Sequence, residues 1–221
     1  LSNIFEPNYI MCSGEHGFKE LNKINYLPPR RLFIFGSNRR NFKKLSRLAV
    51  QSKKRDTFLL LPEGDLVECV PMAKLALKLA LKFSEFKFII RFHPVTKIKK
   101  VIRKYPQILQ GLPNIEISNS SFEEDLLRSH YAIYRGSTTI IKAVEYGLIP
   151  LYYKRPNEIS IDPLFEIESQ KINISIPEDI QILDKISEKE HIYNQSKLIK
   201  YVQHFFSPIN YDVVLKLKDN Q

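Results

Sequence analysis

Cysteine is scarce in this chain: Cys12 and Cys69 are the two in 221 residues, and their spacing suggests no pairing. A disulfide framework and a zinc site built on thiolates are both excluded on that count, and a reducing, cytoplasmic setting is expected. No apolar run approaches the roughly 20 residues that a membrane-spanning helix needs. Leu1–Tyr26 shows no signal-peptide pattern. The histidines are not placed at metal-ligand spacing, so no metal site is expected. A Gly-x-Gly-x-x-Gly run after the first strand is missing, as is a Gly-x-x-x-x-Gly-Lys-Ser/Thr loop, which excludes the standard dinucleotide and P-loop sites. The Gly-x-Ser-x-Gly elbow of serine hydrolases is missing too. There is no internal repeat and no low-complexity segment.

The composition suits a folded domain with a sizeable core: 43% of residues are hydrophobic and 26% are charged. Lys and Arg number 34 against 24 Asp and Glu, a formal net charge of +10. Such a surplus favours anionic partners: nucleic acid, a nucleotide or sugar phosphate, or an anionic membrane surface. Solubility alone accounts for many of these lysines equally well. The chain opens on Leu1 and is read as a piece of a longer protein.

Strand-like and helix-like segments alternate. Leu32–Phe35, Thr57–Leu61, Phe86–Phe92, Ile115–Ile117, Tyr131–Tyr134 and Leu148–Tyr153 read as strands. Phe42–Gln51, Val67–Phe83, Thr96–Tyr105, Phe122–Arg128 and Thr138–Tyr146 read as the helices between them, and Ser187–Phe206 as a later helix. Ser121 and Glu124 have capping-box spacing, and Gly147 stands at a helix C′ position. Continuous apolar strands alternating with amphipathic helices predict an α/β fold, a Rossmann-like doubly wound parallel sheet covered on both faces. The expected boundaries are 1–30 as linker or remnant of a preceding domain, 31–180 as the Rossmann-like domain, and 181–221 as a C-terminal helix and tail.

Function is sought where these strands end. In an open parallel sheet, ligands bind outside the carboxyl ends of the strands, and here those ends carry small polar residues. Arg135-Gly136-Ser137-Thr138-Thr139 is the sharpest case. Gly136 permits close backbone approach, and Ser137 or Thr138 at the N-cap would leave free N–H groups for an anion. Helix capping alone also explains Ser137. His93, fixed by Pro94, could donate to a phosphate oxygen, with Arg91 on the same face. Pro62-Glu63-Gly64 ends another strand; Glu63 could accept from a sugar hydroxyl or, with Asp65, could only open a helix. Ser118–Ser121 and His16 are weaker candidates, each with a structural alternative.

This order of elements, with Pro62-Glu63-Gly64, His93-Pro94, Gly136-Ser137-Thr138-Thr139 and Gly147-Leu148-Ile149-Pro150, resembles the C-terminal nucleotide-sugar-binding domain of GT-B glycosyltransferases. The His-Pro pair with a Ser/Thr cluster is most similar to bacterial surface-polysaccharide enzymes that use CMP-activated sugars, the sialyltransferase-like and Kdo-transferase-like groups. CDP-glycerol transferases of wall polymers share the layout. The resemblance covers about Leu32–Tyr153. It implies that His93, Ser137, Thr138 and Thr139 contact the nucleotide phosphate. It also implies a transferase with a nucleotide-sugar donor, a carbohydrate or lipid-linked acceptor, and no metal or other cofactor. Half of a two-domain enzyme would be inactive alone.

Two departures stand out. Lys142 occupies the position, five before Gly147, where many such enzymes carry an acid. The acidic-acidic-Gly motif of some sialyltransferases is only half matched by Glu63-Gly64, so no catalytic base is assigned. The basic segment Lys97–Lys104 adds an expectation of peripheral contact with an anionic membrane, at its cytoplasmic face. The competing readings are a nucleic-acid-binding module, which lacks any recognised motif, and a sugar-nucleotide epimerase of the same plan.

Overall fold

Thr57–Leu61 (β3) is buried at all five positions, and Tyr131–Tyr134 (β6) at all four. Uninterrupted burial on both faces is the mark of a parallel strand with helices above and below it. The two strands pair side by side at the centre of a six-stranded parallel sheet. Lys87–Ile90 (β4) and Ile115–Ile117 (β5) extend it on one side of β3; Ile149–Tyr153 (β7) and Ile172–Ile174 (β8) extend it beyond β6. The spatial order is β5-β4-β3-β6-β7-β8. Counted from β3 this is 3-2-1-4-5-6, the doubly wound order in which the chain reverses direction between its first and fourth strands. The computed structural model describes residues 7–24, 29–39, 56–104, 106, 112–185 and 188–218.

The helices follow from the pattern between the strands. Leu66–Lys82 (α2) buries Cys69, Met72, Ala73, Leu75, Ala76, Leu77, Leu79 and Ala80, and turns Lys74, Lys78 and Lys82 outward or to its margin. Asp65 caps it by accepting the Val67 N–H. Pro71 lies in its second turn, where little of the hydrogen-bond ladder is lost. On this face of the sheet α2 packs with Phe58, Leu60, Phe88, Ile90, Tyr131, Ile133 and Leu151. Phe58 stacks between Phe88 and Tyr131, with centroids 5.2 and 4.6 Å away. Leu59, Leu61 and Ala132 alternate to the other face. There Phe122–Arg128 (α4) packs on β3 and Thr139–Glu145 (α5) on β6 and β7, burying Leu126 and Ile140. Ser121 and Glu124 form the full capping box of α4, and Gly147, at φ +80°, follows α5. Ile98–Lys104 (α3) joins β4 to β5.

The fold class read from the sequence stands in the sheet itself, which is Rossmann-like, doubly wound and parallel. The domain limits differ from those expected. The chain divides into two compact units, 45–199 and a second made of 1–44 with 200–221. Leu32–Ile34 (β2), expected to open the main sheet, instead pairs in parallel with Ile10–Cys12 (β1) in a separate two-stranded sheet. A three-residue apolar strand carries no record of which neighbour it will take. Within this unit Glu15–Asn22 (α1) follows β1. The expected turn-rich loop around His16 is therefore the start of a helix. His16 packs its ring 4.0 Å from that of Tyr201, with Nε2 3.0 Å from the Tyr201 carbonyl oxygen, a packing role. The predicted helix Phe42–Gln51 lies outside the described residues. Both cysteines are free and buried. No described helix is long and apolar enough to cross a membrane.

Candidate functional site

The reversal of strand order places a crevice between the carboxyl ends of β3 and β6, where their outgoing loops part to opposite sides. The loop after β3 is Pro62-Glu63-Gly64-Asp65, and the loop after β6 is Arg135-Gly136-Ser137-Thr138. They meet directly: the Gly136 N–H donates to Glu63 Oε1 at 2.6 Å. A side chain on Gly136 would have to push aside the ends of two neighbouring side chains. A Cβ there would stand 2.7 Å from Glu63 Oε1 and 2.6 Å from Ile161 Cδ1. Two side chains of this chain are what approach Gly136.

The loop after β4 joins from the other side of β3. Its residue His93 is exposed and lies against Gly64, whose Cβ would stand 3.4 Å from Nδ1 and 2.7 Å from Val95 Cγ2. His93 Nδ1 accepts the Val95 N–H at 3.3 Å, so in the neutral ring Nε2 carries the proton and is a donor. Pro94, also exposed, holds the turn. Two residues not expected from the sequence fasten this loop to its neighbour. Buried Thr96 donates to the Gly64 carbonyl at 3.3 Å, and the Cys69 thiol donates to the Glu63 carbonyl at 2.6 Å. Glu63, Gly64, His93, Pro94 and Gly136 are thus neighbours on three adjacent strands.

Ser137, Thr138 and Thr139 complete the rim, with the N-cap taken by Thr138, one of the two residues expected there. The Thr138 side chain makes no capping bond. Ser137 Oγ and Thr139 Oγ1 bond each other at 2.6 Å, which orients one hydroxyl as acceptor and one as donor. The helix opens in a tight turn, with Ile140 N–H on the Ser137 carbonyl.

Arg135 has another task. It is 5% exposed. Its Nε donates to Glu68 at 2.9 Å, and its Nη2 to Glu158 at 2.9 Å and to the Ile159 carbonyl at 3.1 Å. Arg155 closes the ring onto the same two carboxylates, at 3.1 and 2.5 Å. The guanidinium is engaged within the protein, so Arg135 anchors its loop and the segment 158–162 that crosses Gly136. Arg91 is likewise engaged: its Nη1 donates to Ser118 Oγ, the Ser120 carbonyl and Asp125 Oδ2 at 3.3, 2.8 and 2.8 Å. Ser118–Ser121 therefore serve packing and capping.

Charge at the crevice is shaped by burial. Desolvation pushes the Glu63 carboxyl above the ordinary value, and the Gly136 hydrogen bond opposes it; Glu68 raises it further, Arg135 lowers it, and Asp65 raises it. Asp125 behaves in the opposite way. Its burial alone would raise it, yet hydrogen bonds from Ser118, Arg128 and Arg91 together hold it below the usual carboxylate range.

No protein-family model matches the chain. No curated protein matches it in sequence. Solved structures do match in shape. A glycotransferase of kitacinnamycin aligns with TM-score 0.56 and 12% identity over 90% of this chain and 52% of its own. The S. aureus MnaA protein in complex with UDP aligns at 0.53 and 13%, over 85% and 53%. A variant of the wall teichoic acid polymerase TagF aligns at 0.51 and 14%, over 96% and 57%. The chain spans about half the length of the structures it matches. At these identities the likeness is one of fold, and the fold these comparisons support is the Rossmann-like half of a GT-B architecture.

Proposed function

We propose that this chain is the nucleotide-sugar-binding domain of a sugar-transferring enzyme, with the donor's phosphates in the crevice between β3 and β6. The observation that carries the reading is the convergence of three strand-end loops at the point where the strand order reverses, sealed by the Gly136–Glu63 contact. Around that crevice stand the exposed His93, the paired hydroxyls of Ser137 and Thr139, and the Gly136 amide that Glu63 now holds. Such groups suit phosphoryl oxygens. Pro94 and Gly64 set the His93 turn, and Thr138 begins the helix behind the hydroxyls.

The whole enzyme's reaction is read through the same site. MnaA was solved with UDP and TagF is a wall teichoic acid polymerase, which supports a nucleotide-linked donor and leaves the base open. The finer assignment, a CMP-linked sugar in surface-carbohydrate synthesis, rests on His93-Pro94 with Ser137–Thr139 alone. A carbohydrate or lipid-linked acceptor would be met by residues beyond this sheet. Contact with an anionic membrane is a separate proposal, motivated by the stretch from Phe86 to Ile115, which holds Lys and Arg but no Asp or Glu. Failure to sediment with anionic vesicles would remove it.

Calorimetric titration of UDP, CDP, GDP and CMP into the wild-type chain and His93→Ala tests the site. The expected result is saturable binding of at least one nucleotide, weakened about tenfold by loss of His93, as for a charge-assisted hydrogen bond. Binding of none, or binding indifferent to His93, would refute the reading.

A further inference from the structure

Outside the crevice, the first turns of α2 carry an apolar surface that the fold leaves uncovered. Val67 is 66% exposed, and Val70 and Pro71 follow it at helical spacing on the same side. Beside them packs α3, which buries Val101 and turns Lys99, Lys100 and Arg103 outward. Between the two helices lies a groove of about 620 Å³, lined by Leu66, Val67, Val70, Pro71, Lys100 and Arg103. That volume falls among sites for small organic ligands, about 300–1,000 Å³. The charge around it is of one sign. From Phe86 to Ile115 the sequence holds no Asp or Glu, and the sole acid within α2, Glu68, is taken by Arg135 and Arg155. Asp65 is engaged as the cap of α2. Among the described residues, no ion pair engages Lys97, Lys99, Lys100 or Arg103.

We propose that this groove is a binding site for an anionic amphiphile, a single hydrocarbon chain ending in a phosphate. The chain lies on Leu66, Val67, Val70 and Pro71, and the head sits between Lys100 and Arg103. The floor offers side chains without hydrogen-bonding groups, which favours hydrocarbon over a sugar or a polar peptide. The rim offers an ammonium and a guanidinium free of carboxylates, which suits a head carrying more than one negative charge. No aromatic ring is in the lining for a base to stack on, which disfavours a nucleic acid. The apolar residues line a hollow between two helices, a shape that one chain fills and a flat bilayer meets only at its edges. The groove begins at Leu66, the residue after the Pro62–Asp65 loop of the crevice. Resting on the reading of that crevice as the donor site, the amphiphile stands on the same rim of the sheet, the place at which a lipid-linked acceptor would meet the donor.

Calorimetry on the full 221-residue chain tests this with dodecyl phosphate kept below its micelle concentration. Dodecyl maltoside supplies the chain without the charge, and inorganic phosphate the charge without the chain. Dodecyl phosphate should bind saturably, at least about tenfold more tightly than either control. The double variant Lys100→Glu with Arg103→Glu should weaken it about tenfold, and Val67→Glu about as much. All three side chains are exposed, so circular dichroism should show both variants folded. His93→Ala should bind dodecyl phosphate as wild type does, and the groove variants should bind UDP as wild type does, so the two sites are read separately. Loss of dodecyl phosphate binding in His93→Ala would move the amphiphile into the crevice and overturn the proposal. Equal binding of dodecyl maltoside or of inorganic phosphate, or indifference to the groove variants, would overturn it too. So would binding of vesicles containing phosphatidylglycerol with none of the monomer, which marks a membrane surface instead. If UDP fails to bind while dodecyl phosphate behaves as expected, the donor-site reading falls and the groove stands.

Discussion

Arg91 and His93 stand two residues apart at the end of β4, yet they belong to two polar clusters of opposite character. Arg91 enters a closed one. There the Asp125 side chain, 0% exposed, receives Arg91 Nη1 at 2.8 Å, Ser118 Oγ at 2.5 Å and the Arg128 Nε and Nη2 at 3.2 and 2.7 Å. Its oxygens are filled from three elements, which suits a bolt between β4, β5 and α4. His93 enters an open cluster. Its Nδ1 accepts from its own loop, and the residue is exposed. Across Gly64, Glu63 is bound through one oxygen to a loop amide that a phosphate could claim. On one rim of one sheet, saturation marks the structural cluster and exchangeable contacts mark the candidate site.

The sharpest way to break this comparison is Asp125→Ala. Removing it deprives two partly exposed guanidinium groups of their buried partner, while Arg128 keeps Glu116, and about 1–3 kcal/mol of stability should be lost. Urea unfolding would measure this; a loss below about 1 kcal/mol would deny the cluster its structural role. The same residue sets an acid limit. Because its folded pKa is depressed, its contribution is complete above the unfolded value of about 3.9 and is lost as pH falls through the lower folded value. Asp125→Asn should flatten that acid-side slope.

Next in size is Gly136→Val. The new side chain meets Glu63 Oε1 and Ile161 Cδ1, so overpacking should cost about 1–3 kcal/mol. Nucleotide binding should disappear while the far-ultraviolet circular dichroism of the folded protein is kept. A variant that binds as wild type would place the phosphates elsewhere.

The sequence made the scaffold legible and the pairings between distant loops illegible. The periodicity of α2, the apolar run Tyr131–Tyr134 and the Ser121–Glu124 spacing each encode a local structure, and each is where it was expected. Local physics determines such features within a few turns of chain. The rim loops were also legible as a set, since small polar residues cluster at strand ends. Their partners were not. Arg135 beside Gly136 reads as an anion clamp, but Glu68 and Glu158, 67 and 23 residues away, hold it. Glu63 meets Gly136 across 73 residues. Nothing in the local sequence of Leu32–Ile34 says that it pairs with β1 rather than with the main sheet.

Two smaller effects sharpen the contrast. His93→Ala should weaken nucleotide binding about tenfold and change stability by less than about 0.5 kcal/mol, as an exposed side chain should. Ser121→Ala does the reverse. It removes one bond of the α4 capping box, costing about 1 kcal/mol in urea unfolding, and leaves nucleotide affinity within error. If Ser121→Ala weakened binding as much as His93→Ala, the division between the two clusters would be lost.

The most direct test is a titration of the ¹⁵N-labelled chain with UDP, followed amide by amide in heteronuclear NMR spectra. The account predicts that the largest shifts fall on Gly64, His93, Gly136, Ser137 and Thr139, with those of Ser118 to Arg128 small. Shifts centred on Ser118 to Arg128, or none at Gly136 while the nucleotide binds, would contradict it.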